Sequence, residues 1–197
     1  MTVTDIIAEA LERLGVLAAG EAVDGLDQQS CLSTFKAMMM ALPGMGLGGD
    51  LTDVVVTASP YNANVNERIR WDGVGSLTVN LPTLVNSNPP RNGDRVAVVN
   101  GAGRGVSVYI AGKGAWLSLA SLTTATDAPL GEENDYYLID MLAYRVAPKF
   151  GMPITAQMQA ANDRAERAIS ALFAPDMTQE TDLALWSYWN NWNGAFA

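Results

Sequence analysis

EENDYYLIDMLAYRVAPKFGMPITAQMQAANDRAERAISALF, residues 132–173, is the longest stretch of the chain with sustained helical periodicity. It opens on Glu132, Glu133 and Asp135, which suit the positive end of a helix dipole. Leu138, Met141, Leu142 and Arg145–Val146 then recur at steps of three and four. Pro148 ends or kinks this first helix, because it lacks an N–H and its ring clashes with the preceding turn. Thr155 caps a second helix, in which Met158, Ala161, Ala165, Ala168 and Leu172 keep the same step and leave Asp163 and Arg167 as an exposed i,i+4 pair. Its alanine-rich seam admits a close partner. The other amphipathic helical segments lie far upstream, so Asp5–Leu14 and Leu26–Leu42 are expected to cover it.

In that upstream region Thr2 with Asp5 predicts an N-cap and first turn, and Ile6, Ile7, Ala10, Leu11 and Leu14 form one apolar face that stops at Gly15. Asp24 predicts the cap of a further helix, with Leu32, Phe35, Met39 and Leu42 on one face and Pro43-Gly44 at its end. The two helices should form an antiparallel hairpin. Met38-Met39-Met40 points in three helical directions, which favours core packing with partial exposure over a soft-metal surface. Gly44–Gly49, with glycine at 44, 46, 48 and 49, marks a boundary.

From Leu51 the period shortens to two. Val54-Val55-Val56, Val65/Ile69/Trp71, Leu77/Val79/Leu81, Val96/Val98, Val106/Val108/Ile110 and Leu117/Leu119 predict about six short strands. Asp72-Gly73, Asn92-Gly93, Gly101–Gly105 and Gly112-Lys113-Gly114 supply turn chemistry between them, and Leu84–Arg91 is too rich in Pro and Asn for a central strand. The expected fold is therefore α+β. A helical bundle forms from the N- and C-terminal halves, residues 1–50 and 128–174. An antiparallel β domain, sheet or small barrel, is inserted at 51–127, and an extended C-terminal tail occupies 175–197.

Composition excludes much chemistry. The 197 residues, 49% hydrophobic, can fill a core. No apolar run approaches the roughly 18 residues of a membrane span, and Met1–Asp5 lacks a basic signal-peptide start, so no membrane role is expected. Cys31, the single cysteine, allows no intrachain disulfide and suits a buried, inert thiol. The absence of histidine removes the commonest general base and most zinc sites. A net charge of −9 opposes ordinary DNA or RNA binding. Arg68, Arg70, Arg91, Arg95, Arg104 and Lys113 make the insert the most basic region, which favours a solvated sheet face over a nucleic-acid patch.

Gly101-x-Gly103-x-Gly105 has the wrong spacing for a dinucleotide loop and opens a strand. Glu132-Glu133 and Asp163/Glu166 lie on helix faces where solvation or the helix dipole explains them. No catalytic residue, cofactor or metal ligand is predicted.

The last 22 residues contain no Lys or Arg but many large aromatics. Leu185, Trp186, Tyr188, Trp189, Trp192 and Phe196 are the candidate interface residues, because such groups are costly to leave in water and commonly anchor interfaces. The alternative is that they fold back on their own domain.

Asp5-Ile6-Ile7-x-x-Ala10-Leu11-x-x-Leu14-Gly15-Val16-Leu17-Ala18-Ala19-Gly20-Glu21, followed by Met39-x-x-Leu42-Pro43-Gly44-Met45-Gly46-Leu47, resembles the N-terminal signature of bacteriophage head-to-tail adaptors, the tail accessory or head-completion proteins. Leu142-Ala143-Tyr144-Arg145-Val146-Ala147-Pro148-Lys149-Phe150-Gly151 and the alanine-rich helix after it are similar too. The resemblance covers about half the chain. It implies a non-enzymatic homo-oligomeric ring of twelve subunits at the neck of the virion, assembled in the host cytoplasm. Such a ring docks under the portal protein, meets a downstream tail or nozzle protein and extends the channel for double-stranded DNA, where acidic walls let DNA slide without sticking. Another virion component, such as a tail-completion, decoration or glycan-binding protein, is the alternative, and a carboxylate-only enzyme is a third reading.

Overall fold

The computed structural model describes residues 1–42, 51–85, 88–91, 93–99, 106–112 and 115–172. Three of the predicted helix starts are capped as their sequences demand. Helix α1 (Val3–Arg13) opens on a capping box, in which the Asp5 amide donates to Thr2 Oγ1 at 3.3 Å and the Thr2 amide to the Asp5 carboxylate at 2.9 Å. In α2 (Gly25–Ala41) the Leu26 amide donates to Asp24 Oδ2 at 3.1 Å. In α4 (Ala156–Leu172) the Met158 amide donates to Thr155 Oγ1 at 3.2 Å. Between them α3 (Asp135–Val146) follows a short 3-10 turn at Glu132–Asn134 and gives way to another at Ala147–Phe150, where Pro148 stands. Gly151, with φ +67, then lets the chain turn a corner that a Cβ would strain.

The four helices share one apolar core although residues 51–127 separate them in sequence. Ile6, Ile7 and Leu11 of α1, Phe35 and Met39 of α2, Leu138, Ile139 and Leu142 of α3, and Ala165 and Ile169 of α4 are all buried in it. The central element is α3, which packs on each of the other three helices. That corrects the expected partner of the alanine seam: α4 packs chiefly on α3, its neighbour in sequence, and α3 in turn meets α1 and α2. The physical reason is the short corner at Pro148–Pro153, which folds α4 straight back onto the helix it follows.

First-turn amides of α1 have no partner within the helix. Val3 N–H donates to the Thr126 carbonyl at 2.8 Å and Thr4 N–H to that of Thr124 at 2.9 Å, fastening the N-terminal helix to the loop that leads into α3. Met38 and Met39 are buried and Met40 is exposed, as the three-direction reading of the run requires. The Asp163–Arg167 pair is exposed, but Arg167 Nε donates to the Asp163 backbone carbonyl at 3.0 Å rather than to the carboxylate.

Seven strands are described: β1 (Thr52–Val56), β2 (Tyr61–Asn62), β3 (Glu67–Trp71), β4 (Val79–Asn80), β5 (Arg95–Val99), β6 (Val106–Gly112) and β7 (Ala115–Ser118). Five form a sheet in the order β1-β3-β5-β6-β7, while β2 and β4 pair separately. The antiparallel sheet or barrel expected from the alternation is corrected to a mixed sheet with β1 and β7 at its edges: β1, β3 and β5 run parallel, and only β5-β6-β7 is antiparallel. The connections explain the difference. An antiparallel neighbour needs only a short connection, whereas a parallel one needs the chain to cross back, and the long separations 57–66 and 72–94 precede the two parallel partners β3 and β5. Asp72-Gly73 therefore opens a long excursion instead of a hairpin.

Alternation along β6 separates two cores. Ile110 and Val108 face the helices, whereas Tyr109 joins Ile69, Trp71, Val96 and Val98 in a smaller cluster on the other side. Trp71 Nε1 donates to the Gly75 carbonyl at 2.9 Å and Trp116 Nε1 to that of Pro82 at 2.7 Å, so both indoles pin the 72–82 excursion onto the sheet. The fold is thus α+β, with four α-helices and a mixed five-stranded sheet among the described residues.

Candidate functional site

The predicted interface residues Leu185, Trp186, Tyr188, Trp189, Trp192 and Phe196 lie outside the described residues. Of the basic residues between 51 and 127, Arg68, Arg70 and Arg91 are exposed, and Arg104 and Lys113 lie outside the described residues. Arg68 and Arg70 share one face of β3, where Arg68 Nη1 stands 3.6 Å from Asp53 Oδ1 on β1, an exposed pair that contributes little. Arg95 departs from the solvated-face expectation. It is 1% exposed, and burial lowers its guanidinium to about 10, which still leaves it charged at neutral pH.

Candidate acids and thiols are engaged structurally. Glu67, on β3, accepts from Tyr61 Oη at 3.1 Å, from the Asn64 amide at 3.0 Å and from Asn64 Nδ2 at 2.8 Å. Burial and then this carboxylate push the Tyr61 phenol up, keeping it a proton donor. Cys31 is fully buried on α2, and burial pushes its thiol up, away from the reactive thiolate form. No group of three or more Asp, Glu, Cys or His side chains among the described residues is placed to hold a metal. No helix among them is long and apolar enough to cross a membrane.

What the fold does assemble is a groove of about 650 Å³ between the end of α1, the outer side of α3 and the start of α4. Arg13, in the last turn of α1, pairs with Asp140 of α3, and its guanidinium lies 4.3 Å from the centroid of the Tyr136 ring. Across the groove Tyr144 Oη donates to Gln159 Oε1 at 2.8 Å, tying α3 to α4. Met152, Met158 and Ala161 give it apolar surface, the alanines of α4 leave it open, and Arg164 stands exposed at its rim. Such a site can take an apolar or aromatic chain with negative charge beside it. Its one buried carboxylate is committed to Arg13, so the arrangement favours binding over proton transfer.

Sequence reasoning missed this groove. One signal was present: Asp140 interrupts the apolar run Leu138-Ile139-x-Met141-Leu142, and a carboxylate on a buried stripe needs a cation. Comparison with known proteins finds no matching family model and no matching curated protein.

Proposed function

We propose that this protein is a structural, non-enzymatic head-to-tail adaptor of a tailed bacteriophage. The observation that carries the reading is the single core shared by α1, α2, α3 and α4 across the strand-rich residues 51–127. That is the arrangement implied by the resemblance of the two helical segments to this class. In this reading the helices form the bundle that is the body of each subunit, and the β domain projects from it as an insert. Twelve copies close a ring through head-to-tail contacts. The ring docks beneath the portal protein at the virion neck, after assembly in the host cytoplasm, and receives a tail or nozzle protein on its other side.

The net charge of −9 supports a channel role, since like charge repels double-stranded DNA and lets it pass without sequence-specific binding. The aromatic segment Leu185–Phe196 serves as the docking arm for the portal or a neighbouring subunit. Electron microscopy of the chain mixed with its portal tests the assignment. Twelve-fold density below the portal is expected, and free portal with no added density sinks it.

A further inference from the structure

The groove between α1, α3 and α4 has the size and lining of a binding site. We infer that its occupant is the chain's own aromatic segment, Leu185–Trp192, seated in cis. Three observations converge on that occupant. The first is connectivity, because the helix that forms one wall of the groove is also the helix from which the tail departs. Groove residues Met158, Ala161 and Arg164 lie in the first half of α4, and the described chain stops at its end, Leu172. Seventeen residues make α4 about 25 Å long at 1.5 Å per residue. The thirteen steps from Leu172 to Leu185 span up to roughly 45 Å when extended. The segment therefore reaches back along the helix with slack, and a tether this short gives an effective concentration on the order of millimolar.

The second observation is charge. Arg13 is already paired with Asp140, but Arg164 at the rim is exposed and makes no ion pair among the described residues. Residues 173–197 contain no Lys or Arg, and Asp176, Glu180 and Asp182 precede the aromatics. A segment running back from Leu172 brings these carboxylates past Arg164 before its rings arrive at the groove. The third is surface. Tyr136, in the groove lining, is 54% exposed, and Ile154, in the corner leading to α4, is 45% exposed. Trp186 and Trp189 would cover such surface while removing their own apolar area from water.

The inference is independent of the adaptor reading and holds whatever the protein joins. If that reading is also correct, the groove and the portal compete for one segment, and the arm leaves the groove when the ring docks.

Disulfide trapping in the full chain tests it. Ala160→Cys, on the groove side of α4, is combined with Ser187→Cys, and the comparison chain carries Asp163→Cys with the same Ser187→Cys. Both helix positions are exposed, and Cys31, with 0% exposure, stays in place as an unreactive thiol. Under mild oxidation the 160–187 bond is expected to form within one chain, at least tenfold faster than the 163–187 bond. Arg164→Glu is expected to slow it at least threefold. Equal rates from positions 160 and 163 would show a tail that visits both faces without docking and would overturn the inference. A product linking two chains would overturn it too, by seating a second copy's tail in the groove.

Discussion

The helical region and the sheet region of this molecule solve the same problem, burying apolar surface, from opposite starting points. The helices come from two segments far apart in sequence, yet they build one core in which Ile6, Phe35, Leu138 and Ile139 are all essentially inaccessible. The sheet is nearly continuous in sequence, yet its core is smaller, holds Val96, Val98, Ile69 and Trp71, and depends on indole hydrogen bonds to keep a long loop in place. Sequence distance is therefore a poor guide to cohesion here. The number of buried apolar side chains is the better guide, and the helical core has more of them.

The largest expected effect follows from that difference. Phe35→Ala removes a fully buried ring from the middle of the helical core, and the loss should be about 3–5 kcal/mol in a urea titration. Because the core spans both halves of the chain, amide exchange should accelerate together in α1 and α3. Acceleration confined to α2 would break the picture of one core shared by helices on either side of residues 51–127.

How much of this was legible follows the same divide. Thr2, Asp24, Thr155 and Pro148 marked helix boundaries because capping and proline act through neighbouring backbone groups, and local chemistry is what a sequence displays. Alternation marked strands at Val54–Val56, Val96/Val98 and Val106/Ile110 for the same reason. Strand direction was a different matter. Period two is the same in parallel and antiparallel sheets, and the turn-like Asp72-Gly73 pointed to a hairpin where the chain instead makes a long crossover. Connection length held the answer. The Arg13–Asp140 groove was hidden because its partners come from α1 and α3, and nothing local brings them together. Only the charge of Asp140 inside an apolar run hinted that a cation would arrive from elsewhere.

An intermediate effect is expected where the two regions meet. Gly112 ends β6 beneath the segment leading to α3, and a Cβ there would stand 2.8 Å from the Pro129 carbonyl oxygen and 3.3 Å from its Cα. Both contacts are backbone, so the neighbour cannot rotate away. Gly112→Ala should cost about 1–3 kcal/mol through overpacking. If its unfolding midpoint matches the parent's, the sheet and the helical core are less tightly joined than the contact implies.

The smallest effect sharpens the comparison at the other end of the helical core. Asp5 is exposed, yet the Thr2 amide, and then the Thr2 hydroxyl, hold its carboxyl below the usual range. A carboxyl whose pKa is depressed by folding stabilises the folded chain while ionised in both states, and that contribution is lost as pH falls through its folded pKa. Asp5→Asn should therefore lower stability at pH 7 by about 0.3–1 kcal/mol, the range for an acidic residue at a helix start. The gap between parent and variant should close as pH falls below the ordinary carboxyl range. A gap that persists there would mean that Asp5 acts through shape alone, with its charge contributing nothing to the capping box. Thermal melts at a series of pH values separate the two. The effect stays small because α1 is anchored mainly by Ile6, Ile7 and Leu11 in the core, while the cap sits in water where solvent replaces most of what it loses.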